Sequence, residues 1–182
     1  MMQSMAKVCK IDSYEVKTGA SFFFDNNVWM FLFAPIANAH KGKQKKYASL
    51  FRTIQAMGGT IFISSLVLSE YVNRCLRLAF NQWKEDTRQS YGVEYKKDYR
   101  KTEDYRLALE DVKGQVMAIL KCSERMPDDF NAINIEALLN TMCDGDYNDS
   151  YYAQLCKMKG LKIVTDDHDM FQLPNEVEII TA

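Results

Sequence analysis

The run from Asp146 to Asp169, DYNDSYYAQLCKMKGLKIVTDDHD, constrains this chain more than any other stretch. Its pattern predicts one helix feeding one buried strand, with carboxylates at both junctions. Asp149 falls in the first turn of the helix. Ala153, Leu155, Cys156 and Met158 are its expected core residues, and Gly160 is its stop. Leu161, Ile163 and Val164 then form a short strand closed by Thr165. Asp166, Asp167 and Asp169 follow at its carboxyl end. In open α/β sheets ligands collect beyond the carboxyl ends of the strands. Acids at the ends of other parallel strands would therefore share this rim.

Two further strands are expected. Ser21 to Phe24 is apolar and stops sharply at Asp25-Asn26-Asn27, and Thr60 to Ser64 carries Ile61, Phe62 and Ile63 in a row. Helices are expected at Val28 to Phe33, ending at Pro35, at about 47–57, ending at Gly58-Gly59, and at about 66–83. Within the third, Glu70 breaks an otherwise apolar stretch. A short strand or turn near Tyr14 to Thr18 and a lysine-rich turn from His40 to Lys46 are also expected. Residues 84–106 are dense in charge and tyrosine and read as an exposed loop or helical arm. Helices at about 98–123, with Leu107, Leu109, Val112, Val116, Ile119 and Leu120 as the apolar set, and at Asn134 to Cys143 come next. Gly145 leads into the opening run, and Val177 to Ile180 reads as a final edge strand. Alternating strands and helices imply an α/β fold, a mostly parallel sheet covered on both faces. With 182 residues and no linker or repeat, one domain over 1–182 is expected, with a helical insertion at about 84–140.

Composition narrows the function classes. Net charge is −1, so any polyanion site has to be local. The five cysteines are scattered without a CxxC pair, which suits reduced thiols in a cytoplasmic protein. No apolar stretch is long enough to span a bilayer, so no membrane partner is expected. A dinucleotide GxGxxG, a P-loop and a GxSxG elbow are all lacking, and the Asp25 run has no second aspartate of the aspartyl-phosphate type.

The acids remain. Asp25 ends the first strand, Glu70 lies about a turn and a half into the helix after the second, and Asp149 and Asp167 flank the third. Four carboxylates at one rim repel one another unless a cation is present. Oxygen ligands without His or Cys select Mg²⁺ or Mn²⁺. Such a centre suits phosphodiester hydrolysis by a metal-activated water. Each acid alone has a plainer reading. Asp25 can be a turn or helix cap, Asp146 and Asp149 a capping pair, Glu70 a helix charge, and Asp167 the start of a turn.

At these residues the chain resembles a family. Phe22-Phe23-Phe24-Asp25-Asn26-Asn27-Val28 is similar to the "apolar strand, Asp-x-Asn, Val" opening of PIN-domain ribonucleases. From Asp149, the spacing to Ala153, Gly160, Thr165 and Asp167 resembles their carboxyl-terminal signature, and Ser69-Glu70 their second acid. The resemblance covers about 20–80 and 140–175. It implies a PIN-like three-layer αβα fold, a divalent-metal nuclease centre and, commonly, single-stranded RNA as substrate. Many bacterial members, the VapC-like ones among them, are toxins held by an antitoxin. By this resemblance Asp25, Glu70, Asp149 and Asp167 are the metal-binding and catalytic acids. Asn27 would support the first, and Thr165 would place the last. The alternative is a non-catalytic protein on the same fold that docks through its helical insertion.

Other residues carry two readings each. Asp146 and Asp169 either reach a metal through water or sit in solvated turns. His168 either assists proton transfer or is an exposed loop residue. Lys41, Lys43, Lys45 and Lys46 either contact phosphates or are simply solvated. The arm with Arg88, Tyr91, Tyr95, Lys96, Lys97, Tyr99, Arg100 and Lys101 either stacks and neutralises a single strand or packs on a neighbouring helix or a second copy, as in a homodimer.

Overall fold

The computed structural model describes residues 6–34, 40–88, 91–142, 146–172 and 177–182. Pro35, Cys143 and Gly145 lie outside them. Six strands form the sheet: β1 (Lys7–Lys10), β2 (Ser21–Phe24), β3 (Thr60–Ile63), β4 (Glu124–Arg125), β5 (Lys162–Val164) and β6 (Glu178–Thr181). The helices are α1 (Asn26–Phe33), α2 (Lys41–Ala56), α3 (Ser65–Asp86), α4 (Glu103–Lys121), α5 (Ile135–Thr141) and α6 (Tyr147–Lys159).

The strand order is β1-β6-β5-β2-β3-β4, and every registered pair is parallel. Phe22, Phe23 and Phe24 of β2 are all fully buried, as a central parallel strand with both faces covered requires. Phe23 meets Tyr152 of α6 at 5.2 Å between ring centroids. Phe24 meets Trp29 of α1 at 5.3 Å and Phe51 of α2 at 6.3 Å on the other face. Successive side chains of a strand point to opposite faces, so these contacts define the three αβα layers. From β2 the chain builds outward through β3 and β4 on one side and through β5 and β6 on the other. The order therefore reverses between β2 and β5, and the crevice at their carboxyl ends is where such a sheet holds ligands.

Helix ends follow local chemistry. Ser64 caps α3 through the Val67 amide, and Asp146 caps α6 through the Asp149 amide. Gly160 ends α6 with φ 64, a left-handed conformation that favours glycine.

Several expectations are corrected. Strand β6 lies inside the sheet rather than at its edge, because β1 pairs along it. Of the strand or turn expected near residues 14–18, the structure has the turn, at Thr18 and Gly19, and the strand near the amino terminus is Lys7–Lys10. The lysine-rich turn is the first part of α2, whose exposed lysines form its solvated face. Helix α4 begins at Glu103 behind a cap from Thr102, and Leu107 and Leu109 face outward while Val112 and Ile119 are buried. Met158 of α6 is exposed, whereas Tyr151 and Tyr152 join the core. Cys9, Cys75, Cys122 and Cys156 are free thiols.

Candidate functional site

Asp25 stands where β2 becomes α1. It caps the helix: Oδ1 accepts from the Asn26 backbone N–H at 2.6 Å, and Oδ2 accepts from the Thr165 hydroxyl at 2.8 Å. The residue is 5% exposed. Burial drives its pKa up to about 7, with the charges of Glu70 and Asp167 adding and the two hydrogen bonds opposing.

A knot of hydrogen bonds fixes the end of β5 against this cap. The fully buried Thr165 hydroxyl accepts from Asn27 Nδ2 at 3.1 Å and from the Asp167 amide at 3.0 Å. Asn27 Oδ1 accepts from the Asp166 amide at 3.1 Å. Asp167 is thus held by its backbone beside Asp25. The Tyr47 hydroxyl of α2 lies 3.0 Å from the Thr165 carbonyl and 3.1 Å from Asp166 Oδ1.

Asp149 enters from the first turn of α6, where Asp146 Oδ1 accepts from its amide at 2.9 Å. It is 9% exposed, and its pKa is also raised to about 7, by burial first and then by the charges of Asp146, Asp25 and Asp167. Glu70, from α3, is gripped by neutral donors. Asn26 Nδ2 donates to Oε1 at 3.0 Å, and Asn148 Nδ2 and the Tyr152 hydroxyl approach Oε2 at 3.4 and 3.3 Å.

The structure links the four acids electrostatically through Asp25: Asp25 feels Glu70 and Asp167, and Asp149 feels Asp25 and Asp167. Among the described residues, however, no three His, Cys, Asp or Glu side chains close into ion-holding geometry. The donor chemistry fits a hard divalent cation. It is all oxygen, two of its carboxylates are pushed toward neutrality by burial and by neighbouring carboxylates, and Asn26 Oδ1 is buried without a hydrogen-bond partner.

The remaining candidates separate. Asp146 is exposed and serves as the α6 cap, and Asp169 is exposed at the start of a short 3-10 helix, where its amide donates to Asp167 Oδ1 at 3.0 Å. Lys43 is ion-paired with Asp166 at 2.6 Å, and Lys46 with Asp12. Lys45 is exposed, as are Arg88 and Lys96. Arg100 lies over the Tyr105 ring at 5.7 Å. Tyr95 and Tyr99 pack against Phe80 at 5.4 Å each, so their rings belong to an aromatic cluster on α3; Tyr91 is 95% exposed. The His168 ring packs on Phe171 at 4.9 Å.

Asn26, Asn148, Tyr152 and Tyr47 escaped sequence reasoning. For Tyr152 a signal existed. It follows Asp149 by three positions, so both side chains share one face of α6.

A family model described as "PIN domain" matches residues 22–176. No curated protein sequence matches the chain. Among solved structures, the chain is similar to one in the crystal structure of VapBC2 from Rickettsia felis bound to a DNA fragment from their promoter. That similarity has 14% identity and a TM-score of 0.53, over 89% of this chain and 98% of that one. It is also similar to PAE2754 from Pyrobaculum aerophilum at 14% identity and a TM-score of 0.45, over 92% of this chain and 88% of that one.

Proposed function

The chain belongs to the PIN domain family, and from that membership we propose that it is a metal-dependent ribonuclease that hydrolyses phosphodiester bonds of single-stranded RNA. What supports the reading is that Asp25 lies in the field of Glu70 and Asp167, and Asp149 in the field of Asp25 and Asp167, by the β2/β5 crevice, with the pKa values of Asp25 and Asp149 raised to about 7. In this reading the four carboxylates hold Mg²⁺ or Mn²⁺. When bound, such an ion supplies charge neutralisation at the phosphate and a more acidic water.

The protein's own residues set the stage. Asn27 and Thr165 fix Asp25 and the Asp167 backbone, so both acids meet the substrate without rearrangement. The exposed Lys45, Arg88 and Lys96, together with Arg100, are the cations assigned to the RNA backbone. Lys43 can join them only by leaving Asp166. The VapBC2 complex supports a further step, that this chain is a toxin held by an antitoxin protein.

The test is cleavage of mixed single-stranded RNAs by the full chain with Mn²⁺, stopped by chelator, beside Asp149→Asn. Cleavage by that variant at the parent's rate sinks the assignment.

A second reading is favoured by one observation, the absence of an ion-holding trio among the described residues. In it the protein is a non-catalytic interaction module that docks through α4, where Leu107 and Met117 are exposed. Such a module gains no thermal stability from Mn²⁺, whereas a nuclease centre does.

A further inference from the structure

We infer that Asn26, with Asn148 and Tyr152, positions Glu70 for the cation, and that Asn26 Oδ1 is a further hard oxygen donor to that cation's coordination sphere. The inference rests on the metal-dependent reading above.

Asn26 is 1% exposed and opens α1, next to Asp25. Its Nδ2 donates to Glu70 Oε1 at 3.0 Å. Rotating the amide by half a turn would set oxygen against carboxylate oxygen, so Glu70 selects the orientation. The Oδ1 atom shares a carbon with that nitrogen and therefore stays beside the acids, buried and without a hydrogen-bond partner. Buried polar atoms are seldom left unsatisfied. An amide oxygen is also a ligand type that Mg²⁺, Mn²⁺ and related hard ions accept.

The other oxygen of Glu70 faces Asn148 and Tyr152, both from α6. The Tyr152 hydroxyl is the donor of this pair, because a carboxylate oxygen only accepts. Glu70, on α3, is thereby tied to the helix that follows Asp25 and to the helix that carries Asp149. The three neutral side chains set the spacing of the acids.

The experiment titrates Mn²⁺ against the full chain and reads thermal stabilisation for the parent, Asn26→Leu and Tyr152→Phe. Leucine keeps the shape of the asparagine side chain, and phenylalanine keeps the ring on Phe23. Half-maximal stabilisation moves to at least about tenfold higher Mn²⁺ in Asn26→Leu, since loss of an outer-shell partner alone has that scale. It moves less far in the same direction in Tyr152→Phe. RNA cleavage by both variants recovers toward the parent's kcat as Mn²⁺ is raised, with KM for RNA unchanged. Melting in chelator reports folding; if Asn26→Leu does not fold, Tyr152→Phe and Asn148→Ala decide. Variants with the parent's Mn²⁺ midpoint overturn this inference and leave the nuclease reading standing. A parent that neither responds to Mn²⁺ nor cuts RNA overturns both.

Discussion

The hydroxyl of Thr165 donates to Asp25 at 2.8 Å across 140 positions of sequence, joining the end of β5 to the cap of α1. The same oxygen accepts from Asn27 and from the Asp167 amide. Replacing Thr165 by valine keeps the shape and strands both donors. Thr165→Val is expected to lose about 1–3 kcal/mol of stability in urea unfolding. Mn²⁺ affinity should fall about tenfold or more. Thr165→Ser, which keeps the oxygen, should lose much less of either. Equal losses in the two variants would count against the knot.

Asp149→Asn removes one buried acid without changing shape. RNA cleavage is expected to vanish. The apoprotein, freed of repulsion from Asp146, Asp25 and Asp167, should melt a few degrees higher at pH 8 in chelator. A lower melting temperature there would mean that the carboxylate stabilises the fold.

Acidity has a defined sign here. Asp25 and Asp149 are raised from 3.8 to about 7 in the folded chain. Between those values the folded state holds more protons than the unfolded one. Their contribution to stability is thus complete below pH 3.8 and is lost as pH rises through about 7. In chelator, melting temperature should fall from pH 5 to pH 8 once other groups are held constant by comparison with the double variant Asp25→Asn/Asp149→Asn. Saturating Mn²⁺ should flatten that slope, because metal binding displaces the protons. Melting curves across pH, with and without Mn²⁺, check both statements.

Tyr99 and Tyr91 separate packing from exposure in the tyrosine-rich arm. Tyr99 is 1% exposed and lies 5.2 Å from Trp83, whereas Tyr91 is 95% exposed. Tyr99→Ala is expected to cost about 3–5 kcal/mol, as large aromatic truncations do. Tyr91→Ala should stay within about 0.5 kcal/mol. If Tyr91 touches RNA, its variant weakens single-strand binding at unchanged stability, which filter binding measures.

What the sequence made legible follows from burial. β2, β3 and β5 are short apolar runs buried in the sheet, and such runs announce themselves. Asp25, Glu70 and Asp167 were visible because they interrupt or end apolar stretches, and Asp149 because it opens the helix that feeds β5. β1 was not legible. Lys7, Val8 and Lys10 are exposed, and what holds this edge is its backbone ladder to β6. Once β1 pairs there, β6 ceases to be an edge, and no residue within β6 records that. The start of α2 was hidden by lysines that suit a turn and a solvated helix face equally. The partners of Glu70 were hidden for a different reason. Asn26, Asn148 and Tyr152 come from two helices far apart in the chain, and only the fold brings their polar atoms to one carboxylate.

The reversal of strand order between β2 and β5 carries a consequence for synthesis. Asp25 and Glu70 leave the ribosome before Asp149, Thr165 and Asp167 do. A nascent or prematurely terminated chain ending before α6 therefore displays half of the acids and none of the bonds from Thr165. Whatever reactivity the finished centre has is withheld until α6 and β5 have followed β2 and α3 out of the ribosome, without any separate inhibitor acting on the growing polypeptide.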